Sequence, residues 1–179
     1  MDGNKGIGCQ RGVGLVEVLA ALLVLAIGVL GYAGLQLEAL RGASAAQTRA
    51  RALMLARSAL ELMRVNPHLD YTRGDWSPAG MDAGSPPPDR DGCIARPCDG
   101  AAMRAWDIRQ LTWRAAADLP LGRIAVVPCA AAAGGETPSC VLVSWGGQST
   151  DSCLDKQQAG DHQTDIGGGS NCVVLAGGR

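Results

Sequence analysis

The sequence predicts an α+β protein: a long N-terminal helix, half of membrane character and half amphipathic, packed on a small antiparallel β-sheet with disulfide-stapled loops. Three observations predict it. The stretch VLAALLVLAIGVLGYAGLQL carries no charge between Glu17 and Glu38. An amphipathic pattern continues it unbroken to Asn66-Pro67. Beyond Pro67 come short β-rich runs and six cysteines.

Residues 1–12 are Gly-rich and polar, and no structure is expected there. From Val13 a helix should run to about Val65, so residues 13–66 form the first structured division. Its first part, about 13–37, carries a single charge, Glu17. That is long enough to span a bilayer, since about 20 apolar residues suffice. A carboxylate in such a segment costs roughly 2.5–3.5 kcal/mol on insertion scales. Glu17 therefore either snorkels to the near interface or meets a cation. Gly28, Gly31 and Gly34 either permit close helix packing or soften the helix. Past the membrane segment, Leu53, Ala56, Leu60 and Met63 recur at spacings of three and four, which makes a stripe that needs a partner surface. Asn66-Pro67 ends the helix, because a residue before proline is pushed out of the α region.

The start of this helix resembles the class III signal of type IV prepilins and of type II secretion pseudopilins. The residues that carry the resemblance are a short leader with Lys5 and Arg11, then Gly12, then Glu17 as the fifth residue after the glycine, then the unbroken apolar run. The resemblance implies a pilin-like fold. It implies that prepilin peptidase cuts between Gly12 and Val13, that Val13 becomes N-methylated, and that Glu17 is the carboxylate used in subunit assembly. Such a carboxylate would meet the amino terminus of a neighbouring subunit, which agrees with the need of a buried charge for a counter-charge. The family usually has Phe after the cut; this chain has Val13 and no Phe.

A formal net charge of −1 gives no basic footprint, so no nucleic-acid partner is expected. Cys9 lies in the leader. Cys93, Cys98, Cys129, Cys140, Cys153 and Cys172 all follow the apolar helix, and an even count on an exported side reads as a disulfide framework. Six cysteines allow 15 pairings. Sequential pairing is favoured, because Cys93–Cys98, Cys129–Cys140 and Cys153–Cys172 would each close a short loop. The alternatives are free thiols or zinc, but no pair has C-x2-C spacing and the histidines are only His68 and His162. Lys and Arg flank the apolar run on both sides, so charge alone does not orient it. The cysteines and the leader place the amino terminus in the cytoplasm and residues 67–179 in the periplasm as a globular domain, with one pass through the inner membrane and its lipid.

From His68 to Gly100, Pro, Gly and Asp dominate, and a loop is expected. In AAMRAWDIRQLTWRAAADLP, the residues Ile108, Leu111, Ala115 and Leu119 form a helical stripe, with Trp106 and Trp113 on another face. Either both faces pack within the chain or the tryptophan edge meets a neighbouring subunit. GRIAVVP and SCVLVSW read as strands, the second with Val141, Val143 and Trp145 on one face. Gly146-Gly147 can turn the chain, and Cys172 to Leu175 reads as a last strand. The stretch between reads as a polar loop. Its Asp151, Asp155, Asp161 and Asp165 are either solvated charges or calcium ligands, without EF-hand spacing.

The segment holding Cys93, Cys98, Trp106-Asp107, Leu119-Pro120, Cys129 and Val141–Trp145 is similar to the minor pilin family called type IV pilus modification protein V. The resemblances together imply a minor pilin of a type IV pilus, partnered by other minor pilins and the major pilin. Its work would be pilus assembly, adhesion and twitching motility at the cell surface. A minor pseudopilin of a type II secretion system is the alternative, and a membrane-anchored periplasmic binding module a third. No catalytic constellation, cofactor or metal site is expected, so the chain does not read as an enzyme.

Overall fold

The computed structural model describes residues 14–77, 84–88, 92–129, 138–158 and 171–177. It contains α1 (Leu15–Val65), a 3-10 turn (Tyr71–Arg73), α2 (Gly100–Asp118), β1 (Arg123–Pro128), β2 (Ser139–Ser144), α3 (Thr150–Gln158) and β3 (Cys172–Gly177). The chain divides into two compact units, Met1–Ser44 and Ala45–Arg179, and α1 crosses the boundary. In the first unit the described residues are helix apart from Gly14, and every one is exposed.

The second unit is built on a three-stranded antiparallel sheet in the order β1-β2-β3. Alternation sends Ile124, Val126, Val141, Val143 and Val173 to one face, where they meet Ala52, Leu55, Ala56 and Ala59 of α1 and Ile108, Leu111 and Ala115 of α2. Ala125, Leu142 and Cys172 take the other face and meet Cys153 of α3. Every residue of β2 is therefore buried. A central strand covered on both faces reads as a continuous apolar run, which is why SCVLVS looks barely amphipathic.

The ends of α2 are set locally. Asp99 caps its start, its side chain accepting from the Ala102 N–H at 2.8 Å. Leu119 follows the helix, and its N–H donates to the Ala115 carbonyl. Gly122 then lies so close to the Ala115 carbonyl that no Cβ fits, which lets β1 start directly beneath the helix. Gly146 and Gly147 take positive φ values of 63° and 84° and turn the chain after β2.

Several expectations need adjusting. The buried stripe of α1 runs through Ala52, Leu55, Ala56 and Ala59, with Leu53, Leu60 and Met63 only partly buried. Three alanines and Leu55 thus form the most buried line of the helix, with the larger expected residues packed along its margin. The expected loop of residues 68–100 contains the 3-10 turn at Tyr71–Arg73. The expected polar loop after Trp145 begins with α3 instead. The last strand continues past Leu175 to Gly177.

Candidate functional site

The first candidate site is the start of α1. Gly12 and Val13, expected as the cleavage and methylation residues, lie outside the described residues, as does Cys9. Gly14 opens the described helix, its carbonyl accepting from the Glu17 N–H at 2.9 Å. Glu17 falls in the first turn of α1 and is exposed. A carboxylate is favoured there by the unpaired N–H groups of the helix start, typically by 0.3–1 kcal/mol. Behind it, Val18, Leu19, Leu22, Leu23, Leu25, Ile27 and Leu30 all point into open space. This helix is long and apolar enough to cross a membrane. Such a surface is stable in water only when lipid or other helices cover it.

The second group of chemically notable residues lies in the core of the second unit. Tyr71, 2% exposed, donates its hydroxyl to Asp107 Oδ2 at 2.5 Å, and Asp107 is 3% exposed. Burial pushes the Asp107 carboxyl above its ordinary value, and the Tyr71 hydrogen bond pulls it part of the way back. Burial, together with the hydrogen bond and charge of Asp107, pushes the Tyr71 phenol up. Trp76 Nε1 donates to the Tyr71 carbonyl at 3.0 Å, and Arg104 reaches the Asp70 carbonyl at 3.3 Å. Asp70 in turn accepts from the Thr72 N–H and hydroxyl and pairs with Arg73 at 3.1 Å. These bonds tie the turn after α1 to α2, and nothing in them resembles a nucleophile with its base. The sequence held a signal for Asp107 alone and none for its partner: it lies four residues before Leu111, on the buried stripe, where a lone carboxylate requires a donor.

The six cysteines form three bridges: Cys93–Cys98, Cys129–Cys140 and Cys153–Cys172, with Cα separations of 5.3, 5.0 and 6.0 Å. The second closes the β1–β2 connection and the third fastens α3 to β3. Trp113 Nε1 donates to the Ser85 carbonyl at 2.9 Å, and Trp106 Nε1 is buried without a partner among the described residues. Both indoles are half-buried. Of the aspartates weighed as calcium ligands, Asp151 is exposed, while Asp161 and Asp165, like His162, lie outside the described residues. Among the described residues no group of three His, Cys, Asp or Glu side chains gathers to hold a metal.

Residues 7–33 match the family model for the prokaryotic N-terminal methylation motif. That segment contains Gly12, Val13 and Glu17 together with most of the apolar run. The match supports the type IV pilin-like family, and pilins and pseudopilins share this signal. The motif implies a precursor processed by prepilin peptidase and assembled with other pilins, and it agrees with membrane anchoring by α1. No curated protein and no solved structure matches the chain.

Proposed function

We propose that the chain is a minor pilin of a type IV pilus. In this reading residues 1–12 are removed at Gly12–Val13, Val13 is N-methylated, and Glu17 pairs with the amino terminus of a neighbouring subunit. The protein waits in the inner membrane with residues 67–179 in the periplasm, then enters the pilus beside other minor pilins and the major pilin. It serves pilus assembly, adhesion and twitching motility, as a structural subunit and not an enzyme.

The observation that carries this reading is the fully exposed apolar half of α1, headed by Glu17 within a methylation motif. A plain membrane anchor needs the apolar length but gains nothing from a carboxylate at its start. The softer likeness to type IV pilus modification protein V favours the pilus over a secretion machine, since a type II minor pseudopilin shares the motif itself.

Two measurements test the proposal. Mass spectrometry of membrane-extracted protein should find N-methylated Val13 as the first residue, and an intact Met1 in cells with active prepilin peptidase would refute the processing. Deletion of the gene should reduce piliation and twitching and leave export of folded proteins unchanged. The opposite pattern makes the chain a pseudopilin.

A further inference from the structure

The two edges of the sheet are not alike. In an antiparallel ladder, alternate residues bond to one neighbour and the rest point away. The Trp145 N–H donates to the Asn171 carbonyl at 3.0 Å, one step beyond the Ser144↔Cys172 pair. Stepping by two, Val143↔Val173, Val141↔Leu175 and Ser139↔Gly177 are the hydrogen-bonded pairs. Cys172, Val174 and Ala176 therefore direct their N–H and C=O groups outward from β3. On the other side the Cys129 N–H donates to the Pro138 carbonyl at 2.9 Å, so the hydrogen-bonded pairs of β1 are those at Arg123, Ala125 and Val127. The outward residues of β1 are then Ile124, Val126 and Pro128. The two assignments agree, since they use opposite residues of β2.

The β1 edge is blunted. Pro128 offers no N–H at an outward position, and the 3-10 turn and α2 lie against this strand. The β3 edge has no proline; α3 lies against this strand and is fastened to it by Cys153–Cys172, but on the sheet face that carries Leu142 and Cys172. CVVLAG contains no charge and no proline, and its register with β2 is unbroken by a bulge. Among the described residues, the outward groups of Cys172, Val174 and Ala176 have no backbone partner. An uncharged, unbulged edge is a template for another strand.

We infer that the outer edge of β3 is an assembly surface that pairs, by strand addition, with an extended edge strand of a different pilin-like subunit. The unmet groups are alternating backbone donors and acceptors, and only extended backbone satisfies them in register. A second copy's β1 is disfavoured, since Pro128 removes one of its three outward N–H groups. A β3–β3 pair of two copies would be two-fold and closed, which a subunit added head-to-tail to a growing filament cannot use. This proposal rests on the filament-subunit reading above.

The test uses the full chain in its own cells. A photo-cross-linking phenylalanine derivative replaces exposed Ala176, and a separate variant carries Ala176→Pro. Proline there removes an outward N–H and leaves the bonds to β2, which come from Leu175 and Gly177. Irradiation should join position 176 to another pilin-like subunit. Ala176→Pro should keep the parent's membrane level and three bridges, and its content in sheared filaments should fall about tenfold, the equivalent of ~1.4 kcal/mol. Ala176→Ser, which keeps the N–H, should enter filaments like the parent. Normal incorporation of Ala176→Pro, or cross-links only to a second copy, overturns the proposal. If Ala176→Pro fails to fold, the cross-link decides alone, and its absence from other subunits overturns the edge assignment. A parent protein absent from filaments would overturn the filament reading and this inference together, and that result shows in the parent before any variant is compared.

Discussion

Replacing Tyr71 by Phe should destabilise the second unit by an amount that grows as pH rises. The ring is 2% exposed and Phe keeps its packing, so the change isolates the hydroxyl. That hydroxyl is the hydrogen-bond donor to Asp107, which is itself 3% exposed. Burial sets the folded pKa of Asp107 above the ordinary 3.8. A raised carboxyl contributes most stability below its unfolded pKa and loses it as pH climbs through the folded value. In the Phe variant the carboxylate also loses the bond that held its pKa down, so the loss extends to higher pH. At pH 4 the variant forfeits a neutral hydrogen bond, about 0.5–1.5 kcal/mol, and at pH 7 one to a charged group, about 1.5–3 kcal/mol. The gap between parent and variant should thus widen by about 1 kcal/mol, or roughly 4 °C in melting temperature. Urea and thermal melts of the full chain in mild detergent, followed by tryptophan fluorescence from pH 4 to 8, measure it. Asp107→Asn, which still accepts from Tyr71, should flatten the pH dependence. A gap constant across this range, or wider in acid, refutes the reasoning.

Two further outcomes follow from the packing. Gly122→Ala drives a methyl into the Ala115 carbonyl and should cost about 1–3 kcal/mol in denaturant melts, with no such cost for Gly42→Ala at an open position of α1. Serine replacement of each disulfide pair should cost about 2, 3 and 3 kcal/mol for sequence separations of 5, 11 and 19, and peptide mapping without reductant should recover all three bridges.

What was legible in the sequence follows what local chemistry can encode. The end of α1 at Val65 was readable because Asn66-Pro67 acts on its own neighbours. The strands were readable because β-branched runs end at Pro128 and at Gly146-Gly147. The packed face of α1 was read in part: Ala56 is buried and Leu53, Leu60 and Met63 pack at its margin, while Ala52 and Ala59 went unread because alanines carry little hydrophobic signal. Helix α3 was missed for a related reason. TDSCLDKQQ is polar along its length, and the apolar residues that cover the sheet are few, Cys153 and Leu154. The Tyr71–Asp107 bond joins residues 36 apart, so no local pattern announces it. At the start of the chain, the N-terminal methylation motif was readable because its signal lies in neighbouring residues of the sequence and needs no contact from the rest of the fold.

Replacing Glu17 by Ala or Gln separates a filament subunit from an anchor. Glu17 lies in the first turn of α1, exposed, with no ion pair among the described residues. In an isolated membrane helix the carboxylate must snorkel or take a proton, so its removal leaves insertion intact or improves it by up to roughly 2.5–3.5 kcal/mol. In a filament it can pair with a neighbour's terminal ammonium, in a bundle of low dielectric where the attraction is several-fold stronger than in water. The leader and Gly12 are untouched, so the amount of processed protein in membranes should equal the parent's. The content of the variant in sheared filaments should fall at least tenfold, the equivalent of ~1.4 kcal/mol, which is modest beside the 3–5 kcal/mol lost when one partner of a buried ion pair is removed. Immunoblots of membrane and sheared fractions from cells making parent, Glu17→Gln and Glu17→Ala measure both quantities. Gln keeps the size and removes the charge, so it should behave as Ala does if charge pairing is the operative contact. Equal entry of Glu17→Ala and the parent into filaments would make the carboxylate a snorkelling bystander, even with the motif around it correctly read.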